Sequence, residues 1–145
     1  MLIREMVEKD LNEVSELYDS LMGQKNNVEN MASKFTIMSK NNNCILLVAE
    51  EDGKVVGTVM GIVCPTMVLN FNFFLVIEAL IVNEKYRGKG IAKSMLLELE
   101  NRAAEIGCGY IILVSGKQRT EAHKLYETLG YAEEGAKGFR KLLFH

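Results

Sequence analysis

The chain has 145 residues, 48% hydrophobic and 25% charged, a balance suited to one globular domain with one core. Its 17 basic and 19 acidic residues leave a formal charge of −2. That gives no global drive toward nucleic acid or an anionic membrane, and the aromatics are not interleaved with basic residues as single-strand binding requires. No apolar run reaches the ~20 residues of a membrane span, and the first residues carry no leader pattern.

Leu2 to Val7 alternates as a short strand. Asp10 reads as a helix N-cap, with Glu13 completing a capping box. Leu11, Val14, Leu17, Tyr18 and Leu21 then fall at helical spacing up to Gly23. A second helix is expected from Asn26 to Lys40, with Val28, Met31, Ala32, Phe35 and Met38 on one face. After the Asn41-Asn42-Asn43 turn comes an apolar strand, Cys44 to Glu50. Asp52-Gly53 makes a hairpin into Lys54 to Val63, and Phe73 to Val82 follows as the most apolar strand, expected at the sheet centre.

Gly90 to Ile106 gives a third helix, with Ile91, Met95, Leu99 and either Arg102 or Ala103 inward. Tyr110 to Val114 is a short buried strand. Arg119 to Leu129 is a fourth helix, with Ala122, Leu125, Tyr126 and Leu129 inward and Gly130 as its C-cap. Tyr131 to Glu134 and Phe139 to Phe144 read as two closing strands. The order β-α-α-β-β-β-α-β-α-β-β predicts a mixed α/β (α+β) fold: about seven strands, four helices and a single domain over 1–145.

The three cysteines, Cys44, Cys64 and Cys108, are widely spaced and have apolar neighbours. They read as reduced thiols of a cytoplasmic protein. His123 and His145 lie near no C-x-x-C pair, so no metal site is expected.

The stretch Arg87-Gly88-Lys89-Gly90-Ile91-Ala92-Lys93 joins the most apolar strand directly to a helix. The first amides of a helix lack partners within it and carry partial positive charge. Glycines let a ligand approach the backbone, and Arg87, Lys89 and Lys93 add formal charge. The arrangement suits a phosphate or pyrophosphate. It is neither G-x-x-x-x-G-K-[ST] nor the three-glycine dinucleotide fingerprint.

The turn does match R-x-x-G-x-[GA], as Arg87, Gly90 and Ala92. With the preceding I-E-A-L-I-V-N-E-K-Y and the later R-T-E-A-H-K-L-Y-E-T-L-G-Y, it resembles the acyl-CoA-binding region of the GNAT superfamily of N-acetyltransferases. The resemblance runs from Ile77 to Tyr131 and implies the family fold, acetyl-CoA as co-substrate and an amine acceptor, either a small molecule or a peptide. It implies that Arg87, Gly88, Lys89, Gly90, Ile91, Ala92 and Lys93 hold the pyrophosphate of CoA. The backbone of Leu80, Ile81 and Val82 would bond the pantetheine arm where two strands splay. An Ile81-side or Val82-side amide would then polarise the acetyl carbonyl.

Tyr126, taken by itself, is an aromatic in an apolar helical stripe; the resemblance makes it the acid that protonates the departing thiolate. Glu78 is the one charge in its strand, so it is expected to face a cavity or hold a partner. The resemblance makes it the residue that deprotonates the amine, directly or through water. Arg119 stands where relatives carry asparagine and would bond either the cofactor or an acidic partner. His123 reads as a packing residue, and Cys108, at a helix C-terminal end, lacks the setting of a nucleophile. Two other readings stand beside small-molecule acetylation: a non-catalytic CoA-binding sensor or regulatory domain, and acetylation of a protein amino terminus or lysine. Met67 to Phe74 is apolar enough to suggest a homodimer.

Overall fold

A computed structural model describes residues 1–132 and 134–144. Its elements are β1 (Leu2–Glu5), α1 (Leu11–Met22), α2 (Val28–Met38), β2 (Cys44–Glu51), β3 (Lys54–Pro65), β4 (Phe73–Val82), α3 (Ile91–Ile106), β5 (Cys108–Leu113) and α4 (Thr120–Thr128). Single 3₁₀ turns precede α1, at Glu8–Asp10, and follow β4, at Glu84–Tyr86. The chain divides into two compact units, 1–112 and 113–145.

In the first unit, β1 to β4 form an antiparallel meander, and β5 joins beside β4 after the α3 crossover. The helix is long enough to carry the chain back along the sheet, as such a crossover requires. The sheet order is β1-β2-β3-β4-β5, so β3 holds the centre and β4 lies one place from the edge. The apolar content expected of a central strand is shared by both: each is covered on two faces.

One face packs on α1 and α2. Met6, Leu11, Val14, Leu17, Leu46, Val48, Val55 and Ile81 form its buried cluster, with Met31, Ala32, Phe35 and Met38 of α2 against it. The other face packs on α3 through buried Ile91, Met95, Leu96, Leu99 and Ala103. A β-carbon at Gly61 would stand 3.0 Å from Leu99 Cδ2, so this glycine lets the helix approach the strand closely. Of the two candidates for the last inward position of α3, Ala103 is buried, and Arg102 turns outward to Glu98 and Glu5.

The expected capping box at α1 does not form. The 3₁₀ turn puts Asp10 in helical conformation (φ −80°), so its carboxylate does not fold back over the first turn. It is buried and accepts both Arg4 Nη1 and Nη2, at 2.8 and 2.9 Å, and the Val7 amide at 2.8 Å. Glu13 likewise reaches across to the Val55 amide, at 3.0 Å, tying α1 to β3.

In the second unit α4 has one buried residue, Tyr126. The two closing strands expected at Tyr131–Glu134 and Phe139–Phe144 are absent among the described residues, which leaves five strands rather than seven; Glu133 lies outside the described residues. The physical reason is local. Gly130, Ala132 and Gly135 all take positive φ (92°, 73° and 80°), and the chain turns there instead of extending. In Phe139–Phe144 the apolar residues sit next to one another, giving no strict alternation for one covered face. Phe139 and Leu143 are 84% and 89% exposed.

Burial pushes the Asp10 carboxyl upward, but the Arg4 bonds and the Val7 amide outweigh it and hold the group below the usual carboxylate range. A depressed folded-state pKa contributes stability that is present above the unfolded value near ~3.9 and is lost as pH falls through the folded one. Asp10→Ala should therefore lower stability by roughly 2 kcal/mol at neutral pH, the range for losing hydrogen bonds to a charged group, because Arg4 is partly exposed and keeps Glu50. The gap from wild type should narrow as acid protonates Asp10. Urea unfolding at pH 7 and pH 3 checks both; an equal gap at the two values would contradict it.

Candidate functional site

The end of β4 and the start of α3 are joined by a turn that is hydrogen-bonded in its first half and open in its second. Asn83 closes the strand: its amide donates to Val56 O at 2.7 Å, and its side chain accepts the Lys85 amide at 3.0 Å. After this Asx turn the chain passes Arg87 and reaches Gly88 and Gly90, at φ 79° and 81°. A β-carbon at either glycine would meet nothing within 4 Å, so glycine is required here by conformation rather than by space. Gly90 is the N-cap of α3 and offers no side-chain cap; the first bond of the helix is Ser94 N–H to Gly90 O, at 3.0 Å. Among the described residues, no protein group accepts from the amides of Gly88 to Lys93. The first turn of α3 also carries no acidic residue. A run of converging, unopposed N–H groups at a helix start is a cradle for an anion. Lys89 Nζ rests over the Tyr86 ring at 5.1 Å from its centroid.

Just before the turn, β4 shows a bulge. Thr58 faces Ile81 and Met60 faces Glu78, so Ala79 and Leu80 together oppose Val59 alone. Ala79 takes φ 52°, a left-handed conformation that costs an L-residue about 1–2 kcal/mol. The extra residue resets which side chains share a face. Glu78, opposite Met60, and Ile81, opposite Thr58, both lie on the face covered by α1 and α2. Glu78 itself is exposed and has no ion-pair partner among the described residues. From sequence it is expected to face a cavity or hold a partner; the partner is absent among the described residues.

Ladder alternation decides the backbone directions beyond the bulge. With Asn83 N–H bonded to Val56 O, the next hydrogen-bonded pair is Ile81 with Thr58, and the Val82 amide and carbonyl turn away from β3. Of the two amides considered from sequence, Val82 is therefore the one directed off the ladder. Its carbonyl accepts from Arg87 Nε at 3.1 Å.

In the second unit, Tyr126 is 7% exposed on α4. Its ring stands edge-on to Tyr131, 6.1 Å between centroids, and tilted to His123 at 6.5 Å. Burial pushes the phenol above its ordinary range, and the Arg119 charge and the Ser115 hydroxyl pull against this. Ser115 Oγ is buried and lies near the phenol, but completes no hydrogen bond of good geometry. Sequence reading missed Ser115; its only signal is a hydroxyl between a strand and Gly116. Arg119 occupies the N-cap of α4 and gives no side-chain cap.

A cleft of about 560 Å³ in the first unit is lined by Glu13, Glu16, Leu17, Ser20, Lys54, Val55, Val56, Asn83, Glu84, Lys85 and Tyr86. Glu13 and Glu16 supply its carboxylates. Asp19 of the same helix is engaged elsewhere: it accepts the Asn26 amide at 2.6 Å and the Asn26 side chain at 2.9 Å. The Cys108 thiol is pushed up by burial and by neighbouring Cys64, the wrong direction for a nucleophile. Among the described residues no cluster of His, Cys, Asp and Glu could hold a metal ion, and no helix is long and apolar enough to cross a membrane.

Residues 11–131 match the model of the acetyltransferase (GNAT) family. Three solved structures share the fold. One is a candidate acetyltransferase from Agrobacterium tumefaciens: 23% identity, 98% of this chain and 99% of that one, TM-score 0.89. The second is a transcriptional regulator from Bacillus halodurans: 25% identity, 99% and 98% coverage, TM-score 0.85. The third is an aminoglycoside N-acetyltransferase in complex with CoA: 16% identity, 99% and 92% coverage, TM-score 0.78.

The amide cradle can be tested with inorganic pyrophosphate alone. Titration followed by backbone NMR should move the amide resonances of Gly88 to Lys93 most. Gly90→Ala should weaken that binding and cost about 1 kcal/mol of stability, since a β-carbon is forced into the left-handed region. Shifts concentrated elsewhere would contradict the assignment.

Proposed function

The chain belongs to the GNAT family of acetyltransferases, and from that membership we propose that it transfers the acetyl group of acetyl-CoA to a primary amine by direct attack on the thioester. The observation that carries the reading is the set of amides from Gly88 to Lys93 that no protein acceptor meets. They would hold the CoA pyrophosphate, with Arg87, Lys89 and Lys93 supplying charge. The β4 backbone from Leu80 to Val82 would align the pantetheine arm, and the Val82 amide would receive the developing oxyanion. We further propose that residues 1–145 act as one acetyltransferase domain; the family match spans both compact units.

The chemistry then needs two proton transfers. The neutral amine nitrogen forms a bond to the acetyl carbon while Glu78 takes its proton, directly or through water. An exposed, unpaired carboxylate suits that task because it is free to meet an incoming ammonium. The carbon–sulfur bond breaks and the electron pair leaves on sulfur, which Tyr126 protonates. A phenol held protonated by burial suits an acid, and the Arg119 charge would stabilise the phenolate it becomes. We assign Arg119 to the cofactor side for the same reason.

Amine acceptors are supported by the CoA-bound aminoglycoside acetyltransferase that shares this fold. A protein amino terminus or lysine is an acceptor of the same chemistry. Free thiols at Cys44, Cys64 and Cys108 support a reducing, cytoplasmic setting. Fully exposed Met67 with Val68 and Leu69 supports a homodimer contact. A second reading, a CoA-binding regulatory domain without turnover, is favoured by the transcriptional regulator at 25% identity.

Calorimetry should show binding of CoA and acetyl-CoA, and an amine and peptide screen with thiol readout should show turnover. No binding at millimolar CoA would overturn the proposal; tight binding with no thiol release from any amine would favour the regulatory reading. Tyr126→Phe should lower kcat by about 10²-fold with CoA affinity unchanged. Because the phenol is raised, wild-type kcat should hold through pH 9 and fall only above about pH 10, and that limb should vanish in Tyr126→Phe. An unchanged rate in the variant would rule out the acid role.

A further inference from the structure

We propose that Arg87 is a positioning residue for acyl transfer: by donating Nε to the Val82 carbonyl, it covers the negative end that lies beside the Val82 amide, the donor aimed at the thioester oxygen. The inference rests on the acetyl-transfer reading above. The peptide between Val82 and Asn83 is held at both ends, its N–H by Val56 O at 2.7 Å and its carbonyl by Arg87 Nε at 3.1 Å. In a strand the N–H and C=O of one residue leave on the same side. The Val82 amide and carbonyl therefore share the side turned away from β3.

That neighbourhood creates an electrostatic problem. A bare carbonyl beside a growing oxyanion presents its negative end to the charge that the amide is meant to stabilise. The guanidinium bond covers that oxygen and places positive charge next to the amide. Phosphate binding and positioning use different atoms. Nε faces Val82, while the two terminal nitrogens of this exposed side chain remain for an anion.

Glutamine separates the two tasks. Its Nε2 is bonded to Cδ just as Arg Nε is, so it can donate to the same carbonyl without a charge. Three proteins are compared as full chains: wild type, Arg87→Ala and Arg87→Gln. The readouts are the Val82 carbonyl ¹³C shift without ligand, CoA affinity by calorimetry, and kcat with the best acceptor from the amine screen. Arg87→Ala should move the carbonyl resonance upfield, weaken CoA and lower kcat about 10-fold or more. Arg87→Gln should restore the carbonyl resonance and bring kcat within about threefold of wild type, while CoA affinity stays as weak as in Arg87→Ala. Wild-type kcat in Arg87→Ala, or recovery of kcat and of the carbonyl resonance that do not go together in Arg87→Gln, would overturn the inference. A wild-type protein that neither binds CoA nor releases thiol would instead overturn the acetyl-transfer reading itself; the carbonyl shift needs no substrate and separates the two failures.

Discussion

A backbone N–H away from bulk water needs an acceptor, and a protein normally provides one from a neighbouring strand, a helical turn or a side-chain cap. From Gly88 to Lys93, where the turn after β4 opens into α3, none of these is supplied among the described residues. Gly90 cannot cap with a side chain, the first turn of α3 has no carboxylate, and the left-handed glycines keep the turn from closing on itself. A row of amides stays open at the positive end of a helix dipole. The rest of the first unit serves to hold that opening still. Asn83 ends the strand, α3 is anchored by Met95, Leu96 and Leu99, which are wholly buried, and Arg87 ties the turn back to Val82.

The bulge in β4 depends on the same packing. A left-handed alanine persists only where its surroundings over-determine it. Here the strand is clamped between two helical layers, and the α1 side is stitched by more than apolar packing. Thr58 is fully buried opposite Ile81 and donates to Leu47 O at 2.8 Å. The Tyr18 phenol of α1 sits within reach of the same hydroxyl, and burial pushes it up to about 12. With Glu13 on the Val55 amide and Arg4 on Asp10, α1 is fixed to the sheet by polar bonds at several points along its length. Strain near Glu78 and Val82 is thus held by contacts made elsewhere.

Much of this was legible in the residues. The order of helices and strands through α4 follows from apolar spacing, and Arg87 to Lys93 is conspicuous because glycines, cations and a helix start coincide. What was not legible depends on long-range partners. Asp10 looks like a cap because the local pattern is a capping box; that Arg4 takes its carboxylate is decided across the β1 turn. Glu78 reads as needing a cavity or a partner because its neighbours are apolar, and only the bulge at Ala79 shows which face it shares. The choice between Ile81 and Val82 needs the register with β3, which a single strand does not contain. The closing strands were expected from composition, but positive φ at Gly130, Ala132 and Gly135 turns the chain there.

The central claim is that the amides from Gly88 to Lys93 lack protein acceptors and are completed by the diphosphate of CoA. Amide hydrogen exchange at these positions, measured with and without saturating CoA, tests it most directly. The account predicts fast exchange in the free protein and marked protection of these amides, together with Val82, when CoA is bound. Protection already present without CoA, or exchange unchanged by it, would contradict the account.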